Sequence, residues 1–300
     1  MDFIENHIGE FAALLTAFFW TVSALAFESA SKRLGSIAVN ILRLAIGFIF
    51  LSILNLLRRK ILLPTDASME NWFWLSLSGL VGFVFGDLFL FKSYTVIGSR
   101  FSMLIMTLVP PVTALFGWLI LGEHLTLLNF LGMGLTFTGI AMAIFSHSGE
   151  GEKLTLKLAP IGILYALGGA LGQALGLVLS KFGMTDYDPF AATQIRIIAG
   201  IAGFGLLITL LRRWSRVKAA THDIKGMKSL TLGAFFGPFL GVSFSLLSVK
   251  FTKTGIASTI MALVPVFILI PAIFIYKQKV TIPEIIGSII SVCGVALFFL

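Results

Sequence analysis

Apolar residues in this chain come in continuous runs of about twenty, separated by short polar or basic segments. Twenty-residue windows predict ten spans, over 11–31, 37–57, 72–91, 101–121, 125–145, 159–179, 190–211, 229–249, 255–276 and 281–300. Transmembrane β-strands would be about ten residues long and apolar at every second position, so this pattern predicts helices. The separators include Ser31-Lys32-Arg33, Arg58-Arg59-Lys60, Gly122-Glu123-His124, Asp186-Tyr187-Asp188-Pro189 and Lys277-Gln278-Lys279. Two connections are longer, His147 to Lys157 and Arg212 to Lys228. The first divides the chain into a five-span repeat over 1–146, a linker over 147–158 and a second five-span repeat over 159–300. The expected fold is an all-α integral membrane protein of ten transmembrane helices.

The two halves match in register. Sliding 82–145 onto 237–300, a shift of 155 without a gap, lays Ile105-Met106 on Ile260-Met261 and Leu108-Val109-Pro110 on Leu263-Val264-Pro265. In the same register Gly82, Gly86, Ser93, Thr126, Gly132 and Gly139 meet Gly237, Gly241, Ser248, Thr281, Gly287 and Gly294. Earlier in each half, Arg43 and Gly47 match Arg196 and Gly200, and Ser31-Lys32 matches Ser180-Lys181. Coincident Leu or Val is cheap in a membrane segment; coincident Pro, Gly and Arg is not. Five spans is an odd number, so the second repeat enters the membrane inverted. Two bundles related by an in-plane pseudo-two-fold axis can exchange conformations, opening a central site to one side and then the other.

Composition agrees with a lipid environment and changes little else. Hydrophobic residues are 57% of the 300, charged residues 12%, and the mean hydropathy is +1.00. A soluble domain carries about a quarter charged residues. The net charge of +8 fits basic loops against anionic lipid, and no basic-aromatic surface accompanies it, so nucleic acid is not an expected partner. Cys293 is the only cysteine, which excludes a disulfide framework. His7, His124, His147 and His222 lack metal-ligand spacing, and no Gly-rich stretch carries the Lys-Ser/Thr of a phosphate loop. No cofactor and no enzymatic activity are expected. The acidic N-terminus lacks the basic n-region of a signal peptide, so the first run is expected to be a retained helix.

Four ionisable residues fall inside spans, where an unpaired charge costs a few kcal/mol: Glu28, Arg43, Asp87 and Arg196. By chain direction Glu28, Arg43 and Asp87 lie toward the same side of the membrane and form a candidate coupling cluster. In the second repeat the arginine persists, but Leu177 and Val242 stand where Glu28 and Asp87 do. Carboxylates on one side only could couple substrate movement to a proton gradient; the competing reading is an ion-pair network that holds spans one to three together. Trp20, Tyr94, Tyr165, Gln173, Arg196 and Ser245 are candidate cavity groups. Gly82 and Gly86, Gly168, Gly172 and Gly176, and Gly233, Gly237 and Gly241 have the spacing that lets helix backbones approach closely. Pro110 and Pro265 are repeat equivalents, so spans four and nine are predicted to bend as a pair beside the central cavity.

With Trp20 in span one, Arg43 in span two, the segment from Leu108-Val109-Pro110 through Leu121-Gly122-Glu123, and Leu263-Val264-Pro265 as its counterpart, the chain resembles the EamA-type ten-helix proteins of the drug/metabolite transporter superfamily over essentially its whole length. It departs from that pattern at Tyr276-Lys277-Gln278, where a Gly-Glu pair is common. The resemblance implies a secondary transporter working by alternating access. The leading expectation is an exporter of small metabolites such as amino acids, in a cell membrane (plasma, or inner if bacterial). Multidrug export, a non-transporting receptor or scaffold, and a channel are the alternatives. The expected partners are a small-molecule substrate and the lipid bilayer, with the chain as a monomer or a homodimer. Orientation is contested. Outside the spans, Arg58, Arg59, Lys60, Lys181, Lys250 and Lys253 lie on the side of both termini, and fourteen Lys and Arg lie on the other. The positive-inside rule therefore puts the termini outside, whereas the resemblance implies cytoplasmic termini.

Overall fold

The computed structural model describes residues 5–146, 160–274 and 281–300. Fourteen α-helices are described: α1 (Ile8–Leu34), α2 (Ser36–Arg59), α3 (Met69–Gly79), α4 (Asp87–Met106), α5 (Val109–Leu121), α6 (Leu127–Ser146), α7 (Pro160–Met184), α8 (Pro189–Leu210), α9 (Trp214–Ala220), α10 (Ile224–Ala234), α11 (Val242–Phe251), α12 (Thr254–Met261), α13 (Val264–Phe274) and α14 (Ile282–Ala296). Two π-helical segments, Leu80–Gly86 and Phe235–Gly241, join α3 to α4 and α10 to α11. These elements make ten membrane spans. Span three is α3, its π segment and the start of α4, and span four is the rest of α4 with α5. Span eight is α10, its π segment and α11, and span nine is α12 with α13. Large apolar side chains such as Leu15, Phe18, Ile53, Leu57, Trp118, Leu206 and Ile289 face outward, which only a lipid surround makes tolerable.

Local chemistry places the breaks. Gly35, at φ +78°, is the whole connection between α1 and α2, a conformation that L side chains resist. Asp188 caps α8 by accepting from the Phe190 and Ala191 amides, and Pro189 follows at the first turn, where its missing N–H costs nothing. The run of α4 is not straight. Ser93 Oγ lies 2.7 Å from Ser102 Oγ, nine residues on, where a straight helix would separate them by about 13 Å. The chain therefore doubles back from span three into span four within α4. In the second repeat the same turn falls between α11 and α12.

The 155-residue register recurs in the backbone. The two π segments occupy equivalent residues, and the Leu108 amide donates to the Ile105 carbonyl at 3.0 Å as Leu263 does to Ile260 at 3.1 Å. Thr126 caps α6 with Asn129, and Thr281 caps α14 with Glu284 at the matching positions. Spans four and nine are interrupted at these turns, one residue before Val-Pro. Pro110 and Pro265 thus sit in the first turn of a restarted helix instead of kinking a continuous one, because that turn needs no donor from them. Helices α6 and α14 meet across the pseudo-two-fold axis. Thr136 and Ser291, equivalents in the register, each donate to the other's carbonyl at 3.4 Å. Gly132 abuts Gly294 and Gly139 abuts Gly287, the reciprocal contact that two-fold symmetry demands.

The repeats interlock. Span three packs on α7 and α8 of the second repeat, and span eight packs on α1 and α2 of the first. The Arg212 to Lys228 connection is not an open loop: α9 lies within it, and span eight begins at Ile224, where Asp223 caps α10 by accepting from the Gly226 amide. The 147–158 linker and Lys277-Gln278-Lys279 lie outside the described residues.

Candidate functional site

Arg43 lies two turns into α2, and Asp87 opens α4 just past the π segment. Gly82 and Gly86 strip that segment of side chains on the face turned to α7. A Cβ on Gly172 would fall 2.6 Å from Gly86 Cα, and one on Gly176 would fall 2.8 Å from Gly82 Cα, so the two backbones touch. This close approach carries Gln173 to Asp87: its Nε2 donates to Asp87 Oδ1 at 3.0 Å, while Arg43 Nη2 is ion-paired to Oδ2. Asp87 is only 7% exposed. Removing one partner of such a buried pair typically costs about 3–5 kcal/mol. Arg43 also lies 5.6 Å from the centre of the Phe27 ring.

Arg196, the repeat equivalent of Arg43, has no such carboxylate among the described residues. It is buried on α8, its guanidinium 4.9 Å from the centre of the Phe83 ring, and its Nε has no hydrogen-bond partner. Trp20 packs against Gly241, and Ser245 is buried with its hydroxyl donated to the Val242 carbonyl at 2.7 Å. The side chains of Glu28 and Tyr94 lie outside the described residues, so the cluster described here is Arg43, Asp87 and Gln173.

A cavity of about 700 Å³ opens between α5 and α6, backed by α12. Its walls are mainly apolar and aromatic and include Pro110, Trp118, Phe130 and Phe137, with Thr107, Thr136 and Thr259 as hydroxyls and Glu123 and His124 at one end. Trp20, Gln173, Arg196 and Ser245 do not line it.

The end of the bundle that holds the N-terminus is tied across the repeats by contacts that sequence reasoning missed. Lys181 Nζ donates to Glu123 Oε1 and to the Thr252 carbonyl, both at 2.7 Å. Glu123 Oε2 accepts from the Thr254 amide at 2.8 Å and its hydroxyl at 2.7 Å, which caps α12. Around this knot Glu10 accepts from Thr252, and Arg58 pairs with Asp188 at 3.4 Å. Arg59 pairs with Asp66, to which the Tyr187 hydroxyl donates at 2.9 Å. Deeper in the membrane, Asn55 Nδ2 donates to Gln194 Oε1 at 2.8 Å, and Gln194 Nε2 donates to Ser52 Oγ and the Leu62 carbonyl. The signal for this last group was present, since Asn55 and Gln194 are amides inside apolar runs.

Comparison with known proteins follows the same lines. The model of the EamA-like transporter family matches residues 7–145 and again 160–300. Among Bacillus subtilis (strain 168) proteins, the chain is 26% identical over 222 residues to one named uncharacterized transporter YyaM, covering 72% of this chain and 70% of that one. It is 32% identical over 100 residues to uncharacterized transporter YvbV, 32% of this chain and 31% of the other. A solved crystal structure superposes with a TM-score of 0.77 over 98% of this chain and 96% of its own, at 18% identity, a likeness of fold alone. Two interlocked, inverted five-helix repeats of multi-pass membrane helix, each matched in full, place this chain in the EamA-like transporter family.

Proposed function

We propose that this transporter is a secondary exporter of small metabolites such as amino acids, working by alternating access in a cell membrane. The observation that carries the reading is the buried Arg43–Asp87–Gln173 cluster, set where span three of one repeat meets span six of the other. A carboxylate between a guanidinium and an amide can take up a proton or exchange its partner for a substrate ammonium group. Its place at an inter-repeat seam supports a coupling role, because alternating access moves the repeats against each other there. The knot of Glu123, Lys181 and Thr254 supports the same reading: it joins both repeats at one end and has to part when that end opens.

The test is efflux from proteoliposomes holding the purified chain, with an imposed pH gradient and a panel of amino acids. Gradient-driven flux that Asp87→Asn abolishes is the expected result; unchanged pH dependence in that variant would sink the role of Asp87. A second reading, multidrug export, is favoured by the aromatic cavity with Glu123 at one end. It predicts efflux of lipophilic cations in preference to amino acids, and weaker efflux in Trp118→Ala.

A further inference from the structure

We infer that Arg196 is an anion site that receives the carboxylate of a zwitterionic substrate, an inference that rests on the amino-acid reading above and assigns one end of the substrate to a residue. Arg196 is 5% exposed, inside a membrane span, and its Nε finds no hydrogen-bond acceptor among the described residues. Its guanidinium lies over the Phe83 ring, 4.9 Å from the ring centre. A guanidinium stays charged in proteins, and a buried charge left without a counter-ion is among the costliest features a fold can carry. A ring face offsets only part of that cost.

The pseudo-symmetry shows what is missing. Arg43, in the equivalent place, is neutralised by Asp87, whereas the residue equivalent to Asp87 in the second repeat is Val242. The absent negative charge is therefore one the described residues do not supply and a ligand can. Arginine's planar fork of donors matches a carboxylate with two parallel hydrogen bonds. Gly82 and Gly176 put no side chain beside the guanidinium: a Cβ on Gly82 would stand 3.3 Å from Arg196 Nη2 and 3.6 Å from Gly176 Cα. Asp87 follows on the same rod of span three, about one helical turn beyond Gly82. Span three thus sets a site for negative charge at Gly82 and a carboxylate suited to an ammonium group a turn away. That is the charge pattern of an α-amino acid.

The test uses the full chain in proteoliposomes, with each of the twenty L-amino acids measured against its own C-terminal amide. Wild type is expected to carry at least one acid ten-fold or more faster than its amide. Arg196→Met should collapse that ratio to near one, and Arg196→Lys, which keeps the charge but not the fork, should hold part of it. In detergent, Arg196→Met should melt at or above the wild-type temperature, since it removes an uncompensated charge. Acetate should raise the melting temperature of wild type but not of that variant. An unchanged acid-to-amide ratio in Arg196→Met, or a melting temperature well below wild type, overturns the inference, the latter because the arginine would then have a native partner. If wild type moves no amino acid, the proposed substrate falls. The Arg196 site is then decided by acetate alone: stabilisation of wild type and not of Arg196→Met upholds it, and no stabilisation of either overturns it.

Discussion

Span three meets span six, and span eight meets span one, along two seams that the pseudo-two-fold makes equivalent. Each seam has the same glycine pair on one side, Gly82 and Gly86 or Gly237 and Gly241. Across from them the seams differ. The first presents Gly172 and Gly176, so backbone lies against backbone. The second presents Ser23, Phe27 and Trp20. A Cβ on Gly237 would fall 3.0 Å from the Phe27 ring, and one on Gly241 would fall 2.5 Å from the Trp20 ring. The first seam also holds Asp87 with Arg43 and Gln173, where the second has Val242. Duplication thus preserved the backbone geometry, as the paired π segments show, while the side chains opposite the glycines diverged. Symmetry is carried by residues that fix the chain path; charge is carried by residues that tolerate change.

The largest way to break this comparison is to write the second seam into the first. Asp87→Val leaves Arg43 buried without its carboxylate, and the expected loss is about 3–5 kcal/mol of stability, enough to reduce folded yield severely. Adding Arg43→Leu should recover most of that loss, because an apolar pair of similar volume replaces a buried ion pair at little cost. Thermal unfolding of the purified variants measures both, and a double variant no better than the single one would show that Arg43 is held by something other than Asp87. Next in size is the contrast between glycines. Gly172→Ala forces its new methyl toward the Gly86 backbone, which cannot step aside, and should cost about 1–3 kcal/mol. Gly237→Ala meets the far edge of the Phe27 ring, which can turn, and should cost less than about 1 kcal/mol. Equal losses would mean that the two seams are packed alike.

The sequence was most legible where both repeats must build the same shape. Gly, Pro and Thr coincide in one register, and the structure sets π segments, helix restarts and caps at those matched positions, although nothing in Leu80–Gly86 separates a π segment from an α-helix. The interruption itself was misjudged, because a proline in an apolar run reads as a kink, and only backbone geometry reveals that the helix stops before it and restarts. Arg43 and Asp87 stood out as charges in apolar runs. That Gln173 joins them depends on how spans three and six of different repeats pack, which no local pattern states. The cavity between α5 and α6 was invisible for a similar reason: Trp118, Phe130 and Phe137 read equally well as lipid-facing residues. Glu123 stood out only as part of a polar separator and of a resemblance, and its grip on Lys181 and Thr254 spans 58 and 131 residues of chain.

The smallest expected effect lies at the membrane surface of the second seam and tests whether that seam is fastened from outside. There Arg33, near the end of span one, holds Asp223 at the start of span eight through two bonds of 2.9 and 3.1 Å. A Cβ on Gly226 would fall 2.5 Å from Leu34, so the two helix ends are also in tight apolar contact. The Gly226 amide and then the Arg33 guanidinium hold the Asp223 carboxyl below the usual carboxylate range. A carboxyl depressed in the folded state adds stability that is fully present above its unfolded value of about 3.9 and disappears as the pH falls through the folded value. Asp223→Asn should therefore lower the melting temperature slightly near neutral pH, and the difference from wild type should shrink toward zero as the pH drops below that range. Because the pair is exposed, high salt should shrink it too. A difference that persists unchanged in acid and in high salt would mean that the Gly226–Leu34 contact, and not the ion pair, fastens this end of the seam.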